Sequence, residues 1–229
     1  MKISIIVSCF NNTRTATHMS MLCLDHIRKF TDEPYQLIVI DPASKFPIRD
    51  DYKTLGLEND PDTIWAKFPT DIGYTVGMNK GAELAIGEVL VFIQNDVFVR
   101  EGWLKDLLWY IEQGWEAVFP DQVPRSRDYV LKTYGRDHGN IEAMKGGRDA
   151  GLLMITRSAF ARTGGWNPNL TLLAERDFYQ RMSEHSVKWI DTNKVLITHI
   201  MAATNLTRLD ENPAEYEKRM TKDAGVLNI

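Results

Sequence analysis

The chain has 229 residues, of which 44% are hydrophobic and 25% charged, and 27 Lys and Arg against 31 Asp and Glu give a formal net charge of -4. At about 100 to 200 residues per domain, this length is enough for one domain with a substantial core. Two cysteines and the absence of heptad or Gly-X-Y repeats exclude a disulfide scaffold, a coiled coil and a collagen, and the small negative charge gives no reason to expect a nucleic-acid partner.

Short apolar runs alternate with longer amphipathic stretches over the first half of the chain, which is typical of parallel strands joined by crossover helices. The predicted order is a strand at Ile3–Ser8, a helix at Ala16–Phe30, a strand at Leu37–Ile40, a polar passage over 41–69 with one short helix and an edge strand near Thr63–Ala66, a helix at Tyr74–Ile86, a strand at Val89–Ile93 and a helix at Trp103–Gln113. Gly87 and Gly114 follow two of these helices as stop signals.

The second half of the chain is less regular. The predicted order continues with a strand at Ala117–Phe119, a polar loop over 121–148, a strand at Gly151–Ile155, helices at Ser158–Thr163 and Glu175–Glu184, and short strands at Val187–Ile190 and Val195–Ile197. Asn212 and Pro213 predict the start of a last helix, because both residue types are favoured there. Since no linker or repeat interrupts this order, we predict one α/β domain with a mainly parallel twisted sheet flanked by helices.

Two features of the sequence predict a cytoplasmic protein that is neither membrane-spanning nor secreted. The apolar runs Ile3–Cys9 and Val89–Ile93 are far shorter than the roughly 20 residues that a membrane span needs. Met1 and Lys2 lead directly into a β-branched strand, which is too short for a signal peptide. No CxxC motif or Cys/His cluster surrounds the two cysteines, so we expect reduced thiols.

Polar residues follow three of the predicted strands, at Ser8–Asn12, Asp41–Ser44 and Gln94–Asp96. Ligands of open α/β sheets bind beyond the carboxyl ends of the strands, so these segments are the candidate site. No glycine-rich turn follows the first strand, which argues against a dinucleotide fingerprint and a P-loop. We therefore expect a divalent ion on Asp96, Mg²⁺ or Mn²⁺, to hold any pyrophosphate, because carboxylate oxygens suit these ions.

The first half of the chain carries segments that are similar to a known family, at Ile3–Asn11, Leu37–Ser44, Asp71–Gly73, Met78–Gly81, Gly87–Leu90 and Gln94–Val97. They resemble the family 2 glycosyltransferases of GT-A fold, a fold of nucleotide-diphospho-sugar transferases. Gln94–Val97 looks like the Asn-Asn-Asp variant of the DXD motif in this family. The resemblance implies that Asp96 binds a metal ion, and that the nucleotide sugar contacts Ser8, Phe10, Asn11, Asp41, Asp71, Asn79 and Asn95.

The second half adds further matching segments, so that the resemblance covers about residues 3–200. These are Gly151–Arg157, Phe160, Gly164–Asn167 and Ala174–Asp177. Glu175 stands where the family usually has its catalytic aspartate, and Asp177 matches a second acid, so the resemblance leaves open which of the two is the base. It also implies that Gly151, Trp166 and Arg176 lie on the acceptor side and that His199 completes the metal site.

The resemblance implies an inverting glycosyltransferase. In such an enzyme a carboxylate removes the proton of the acceptor hydroxyl, and Mn²⁺ or Mg²⁺ assists departure of the nucleoside diphosphate, with a UDP-sugar as the favoured donor. The acceptor is a glycan, a protein, a small molecule or a modified nucleic-acid base. We predict a GT-A domain over residues 1–205 and a C-terminal helical extension over 206–229 that packs on it.

Two departures from the family pattern keep other functions open. Gln94 replaces the first acid of the DXD motif, and Pro42 replaces a second Asp or Asn after Asp41. The alternative is therefore a non-catalytic module of the same fold that binds a sugar nucleotide or a glycan. A nucleotidyltransferase is a third hypothesis, which the absence of a glycine-rich basic first loop disfavours.

Overall fold

The computed structural model describes residues 1–48, 60–124, 151–200 and 213–227. Its elements in chain order are β1 (Ile3–Ser8), α1 (Arg14–Phe30), β2 (Gln36–Pro42), β3 (Thr63–Phe68), α2 (Tyr74–Leu84), β4 (Val89–Gln94), β5 (Val97–Val99), α3 (Trp103–Glu112), β6 (Ala117–Pro124), β7 (Leu152–Thr156), α4 (Arg157–Arg162), α5 (Ala174–Glu184), β8 (Trp189–His199) and α6 (Pro213–Leu227).

The strands form one sheet in the order β3-β2-β1-β4-β7-β6-β8-β5. The strands β1 to β4 pair in parallel, as do β6 and β8, whereas β7 runs antiparallel to β4 and β6, and β5 antiparallel to β8. The predicted α/β domain with a mainly parallel sheet is confirmed, with antiparallel pairs confined to its second half.

The sheet lies between two hydrophobic cores, because successive side chains of a strand point to opposite faces. Ile5 and Val7 of β1 lie in one core with residues of α1 and α3, whereas Ile6 lies in the other core with residues of α2, α4 and α5. Strand β1 is buried along its whole length. Burial on both faces explains why the central strands are apolar runs in the sequence rather than alternating patterns.

The order of the strands reverses at β1, since β2 and β3 lie on one side of it and β4 on the other. Ser8 pairs with both Ile40 and Gln94, so three strands end at the same edge of the sheet. Strand β7 begins there, because the Gln94 backbone N–H donates to the Gly151 carbonyl at 2.9 Å. Such a reversal opens a crevice beyond the strand ends, which is where the candidate residues converge.

Three strands differ from the prediction. The sequence predicts two short strands in place of β8, because the polar residues 191–194 interrupt its apolar pattern. The structure instead continues one strand through them, and register shifts between Phe119 and Gln122 of β6 accommodate the irregularity. Strand β6 runs on to Pro124 rather than ending at Phe119, and β5 is too short for any periodic pattern to reveal it.

Several predictions lie outside the described residues. They are the domain boundary between residues 205 and 206, the helix start at Asn212, and most of the polar loop over 121–148. Within the residues that are described, no helix is both long and apolar enough to cross a bilayer.

Helix α2 approaches the sheet closely through Gly81. A Cβ atom at this position would overlap Cγ2 of Ile6, a fully buried and stiff β-branched side chain. Gly225, inside α6, has no described atom beyond its chain neighbours and its own helix backbone within 4 Å of the position that its Cβ would take. Both glycines lie within helices, but a Cβ would clash with a neighbour only at Gly81. Gly225 is therefore a suitable control for Gly81.

We predict that Gly81→Ala destabilises the protein by about 1 to 3 kcal/mol, because the overlap outweighs the gain in helix propensity. Gly225→Ala, the control, is expected to leave stability unchanged or raise it by up to about 1 kcal/mol. Urea unfolding of both variants measures the difference. Equal midpoints for the two variants would contradict the close approach of α2 to β1.

Candidate active site

Asp41 closes a turn that joins the ends of β2 and β1. Its Oδ1 accepts a hydrogen bond from the Ser44 backbone N–H at 2.7 Å. The Ser44 hydroxyl in turn donates to the Cys9 carbonyl and accepts from the Asn11 backbone N–H, each at 2.8 Å. Ala43 between them has φ of 64°, a left-handed conformation that is uncommon for alanine. The hydrogen bonds of Asp41 and Ser44 therefore hold this turn, because alanine itself does not favour the left-handed conformation.

A buried polar network links the end of β1 to the residue before Asp96. The Ser20 hydroxyl of α1 donates to Oδ1 of Asn11, and Nδ2 of Asn95 donates to the Ser20 hydroxyl, both at 2.7 Å. Asn11 and Ser20 are fully buried and Asn95 is 8% exposed. These amides brace the protein, and Nδ2 of Asn11 has no hydrogen-bond partner in the described part of the chain.

The sequence prediction includes Asn11 and Asn95 but misses Ser20. A serine on the apolar face of α1, beside buried Cys23 and Leu24, is the signal that identifies it. A buried hydroxyl on such a face needs an internal partner, because an unsatisfied polar group is costly away from water. Ser20 finds two partners, and they are the two asparagines at the ends of β1 and β4.

The other residues predicted on the donor side lie around the same edge. Ser8 is the last residue of β1 and is buried, and Phe10 is half-buried just beyond it. Asp71 is exposed, and its Oδ1 accepts from the Gly73 backbone N–H at 2.8 Å immediately before α2.

Asp96 and His199 form a buried pair. Oδ1 of Asp96 and Nε2 of His199 are 3.3 Å apart, and each side chain is 5% exposed. The backbone keeps them together, because Val97 pairs with His199 across β5 and β8 and the Ile200 N–H donates to the Asp96 carbonyl at 2.9 Å. The sequence separates these residues by about one hundred positions, and the sheet brings them into contact.

Gly151 leaves room for the His199 ring. A Cβ at this position would lie 2.8 Å from Cγ2 of Val97, closer than Cβ atoms approach other atoms in proteins, and 3.0 Å from Nδ1 of His199, which is a tight contact. The structure therefore places Gly151 beside the Asp96–His199 pair, and a larger residue there would displace the ring.

The donor set of this pair suits a divalent ion. A carboxylate oxygen and an imidazole nitrogen are both ligands of Mn²⁺, and Mg²⁺ takes one or two carboxylates with substrate phosphates and water. Within the described ranges, no group of three or more His, Cys, Asp or Glu side chains has metal-binding geometry. This pair thus contributes two donors from the described part of the chain.

Glu175 reaches the end of β4 from the first turn of α5. Its Oε1 accepts a hydrogen bond of 2.7 Å from Nε2 of Gln94, 81 positions earlier in the chain. Glu175 is half-buried. The contact places a carboxylate directly beside the Asn95–Asp96 segment.

Asp177 has a different environment. It is 8% exposed, and its Oδ2 accepts from Nε and Nη2 of Arg181 at 2.9 and 2.5 Å. Nη1 of Arg181 also donates to the carbonyls of Thr163 and Gly165. Asp177 therefore fixes the arginine that ties α5 to the turn after α4, and Glu175 is the acid at the strand ends.

Trp166, which the sequence predicts on the acceptor side, has an enclosed ring. Its ring is 1% exposed, stacks on Phe178 of α5 at 4.4 Å between centroids, and meets Phe92 edge-on. An enclosed ring offers no face to an acceptor, so Trp166 is a core residue beneath α5. Arg176, also predicted on this side, is exposed.

Asn79 uses its side-chain amide within the protein. Nδ2 donates to the Trp166 carbonyl at 2.7 Å, and Oδ1 accepts from the Trp166 backbone N–H at 2.9 Å. The Asn79 amide thus bonds to both the N–H and the carbonyl of Trp166, as a neighbouring β-strand would. These two bonds join α2 to the loop before α5. The structure thus gives Asn79 a bracing contact where the sequence predicts a nucleotide-sugar contact.

Neither cysteine is suited to chemistry at this edge. Both are free thiols, as predicted. Burial raises the pKa of Cys9 to about 12 and raises that of Cys23 well above the usual value. Because the thiolate is the reactive form, a nucleophilic role is excluded near neutral pH.

Comparison with known proteins identifies the fold. A family model described as glycosyl transferase family 2 matches residues 4–170. The crystal structure of S. aureus TarS 1-349 aligns with a TM-score of 0.67 and 13% identity, covering 97% of this chain and 70% of that one. The same fragment in complex with UDP-GlcNAc aligns at 0.70 and 14%, covering 98% and 66%. No match to a curated protein sequence was found.

These similarities confirm the predicted GT-A fold, and at this level of identity the structural likeness concerns the fold alone. A further structure of S. aureus TarS aligns with a TM-score of 0.65 and 13% identity, and this chain spans 42% of its length. The chain is thus shorter than each of these three chains.

We predict that the two acids of α5 differ in their effect on stability. Asp177→Ala should lower the free energy of unfolding by about 2 to 3 kcal/mol, because it leaves a half-buried arginine without its partner. Glu175→Ala should cost about 1 kcal/mol or less, the value of one hydrogen bond. Urea unfolding tests both, and a larger loss for Glu175→Ala than for Asp177→Ala would contradict these roles.

Proposed function

Because the chain belongs to glycosyl transferase family 2 and is a glycosyltransferase, we propose that it transfers a sugar from a nucleotide-diphosphate sugar to an acceptor hydroxyl with inversion, and that Glu175 is the general base. The observation that carries this proposal is the hydrogen bond from Gln94 to Glu175, which holds a carboxylate at the end of β4. The complex of S. aureus TarS with UDP-GlcNAc supports a UDP-sugar as the donor.

A single displacement accounts for inversion. The acceptor oxygen attacks the anomeric carbon as its proton passes to the Glu175 carboxylate, and the bond from that carbon to the diphosphate oxygen breaks with its electron pair leaving on the diphosphate. The base must lie within hydrogen-bond reach of the acceptor hydroxyl. Asp177 is less suited to this role, because its carboxylate is bound by Arg181.

Glu175 in place of the usual aspartate and Gln94 in place of the first DXD acid fit each other. Glutamate is one methylene longer than the usual aspartate and reaches the position 94 side chain, where the usual acid is replaced by an amide. Two carboxylates at the 2.7 Å that separates Gln94 from Glu175 would repel each other and raise the pKa of one of them. The Gln94 amide instead donates a hydrogen bond that orients the base. This complementarity favours an active enzyme over a binding module.

Asp96 and His199 are the residues that would hold the divalent ion. A bound Mn²⁺ or Mg²⁺ would neutralise the negative charge that develops on the diphosphate. We propose that Asp41, Ser8 and Phe10 form the part of the donor site that contacts the nucleobase, and that Asp71 lies at the rim of this site. Asn11 and Asn95 support this site through their buried network with Ser20. The expected cytoplasmic location stays a prediction.

Activity with purified protein tests the proposal. Mn²⁺ is added with a panel of UDP- and GDP-sugars, and the acceptors are glycans, proteins, small molecules and modified nucleic-acid bases. We expect release of the nucleoside diphosphate with at least one donor and its loss when EDTA removes the metal. Nucleotide binding without turnover would restore the binding-module hypothesis, and neither binding nor turnover with any donor would refute the proposal.

We predict that Glu175→Gln lowers kcat by about a hundredfold to ten-thousandfold, because the amide cannot accept the acceptor proton. The affinity for UDP in the presence of Mn²⁺ should change by less than about threefold, since the base does not hold the nucleotide. Glu184→Gln, at the exposed far end of the same helix, is the matched control and should keep full activity. Full kcat in Glu175→Gln would rule out this base.

A further inference from the structure

The helix that carries Glu175 has no cap of its own. Helices α1 and α4 begin at threonines whose hydroxyls accept backbone N–H bonds, at Thr13 and Thr156. Helix α5 begins instead at Leu173, whose side chain makes no capping hydrogen bond. The backbone N–H groups at the start of a helix need acceptors, which side chains, ligands or water can supply.

Asp223 of α6 supplies an acceptor for the backbone that leads into α5. Its Oδ2 accepts from the backbone N–H groups of Thr171, Leu172 and Leu173 at 2.9, 2.6 and 3.0 Å. Its Oδ1 accepts from the Thr171 hydroxyl at 3.2 Å. Successive N–H groups that converge in this way form an anion-binding concavity. The Asp223 side chain fills it and is completely buried.

The carboxylate is held in its charged form. Burial alone would raise the pKa of Asp223, but the hydrogen bonds from the three backbone N–H groups and from the Thr171 hydroxyl outweigh burial and lower it below the ordinary value. Asp223 is therefore ionised at neutral pH, and its hydrogen bonds are charge-assisted, which makes them stronger than neutral ones.

The contact is continuous with the first turn of α5. The Leu173 N–H is bound by Asp223, while the Leu173 carbonyl accepts the first helical hydrogen bond from the Asp177 N–H at 3.1 Å. Glu175 lies within that turn. A negative charge before the start of α5 also interacts favourably with the helix dipole.

We propose that Asp223 is a positioning residue for the transfer reaction: by fixing the 171–173 backbone from α6, it sets the first turn of α5 and so holds the Glu175 carboxylate at the end of β4. The proposal rests on the proposed function, since positioning matters only if Glu175 is the base. It gives the C-terminal helix a role in the transfer reaction.

Asp223→Ala should lower kcat by about tenfold to a hundredfold, because small displacements of a catalytic group are costly, while the donor KM changes by less than about threefold. Asp223→Asn should recover kcat to within about fivefold of the parent, since its amide oxygen still accepts from the three N–H groups and its amide nitrogen can donate to the Thr171 hydroxyl. Glu217→Ala, an exposed acid on the same helix, is the matched control and should leave kcat unchanged.

Hydrogen exchange provides a readout that does not depend on activity. In Asp223→Ala, exchange of the 171–173 amides should accelerate by about tenfold or more, while the amides of α4 keep their protection. Unchanged exchange at 171–173, or unchanged kcat in an active parent, would overturn the proposal. If the parent has no activity with any donor, the proposed function fails, and the exchange experiment still reports whether Asp223 fixes this backbone.

Discussion

The hydrogen bond from the Gln94 amide to the Glu175 carboxylate joins the two halves of this chain at the point where chemistry is possible. Gln94 ends the central strand β4, and Glu175 stands on a helix that follows it by 81 positions. Every other part of the site is defined relative to this contact. Beside it lie the ends of β1 and β2, where we propose that the nucleotide sugar binds.

Three independent contacts fix the helix that carries Glu175. Phe178 stacks on Trp166 in the core, Asp177 binds the arginine that reaches the turn after α4, and Asp223 holds the backbone before the first turn. The aromatic stack and the ion pair act within α5, and the Asp223 carboxylate acts on the backbone just before it. Their combined effect is to limit both rotation and sliding of the helix, and a general base within hydrogen-bond reach of an acceptor requires that constraint.

The strand ends are held by buried polar groups that hydrogen-bond to one another. The Asn11–Ser20–Asn95 network and the Asp41–Ser44 turn hold the loops after β1, β2 and β4 without a glycine-rich phosphate cradle. Such buried networks are costly when incomplete, which favours one arrangement of the loops. The backbone pairing of β5 with β8 holds Asp96 and His199 next to these loops.

Much of the fold follows from the sequence, because buried central strands are short apolar runs and the crossover helices are amphipathic. The strand-end acids were also visible, since the carboxyl ends of parallel strands meet at one edge. Features that depend on contacts between distant parts of the chain could not be predicted from the sequence. The polar interior of β8 masks a continuous strand, and Trp166 and Asn79 match the family motif but serve packing and bracing. The apolar face of α1 marks Ser20 as a buried hydroxyl, but neither its partners nor those of Asp223 can be identified locally, because they are distant in sequence.

The central claim is that Gln94 acts through Glu175, and a double-mutant cycle tests it most directly. Gln94→Ala should lower kcat about tenfold in the parent, the effect of losing one hydrogen bond to a charged group. In a Glu175→Gln background, the same substitution should change kcat by less than about twofold, since the base is already absent. A loss of equal size in both backgrounds would show that Gln94 acts independently of Glu175, and would contradict the account.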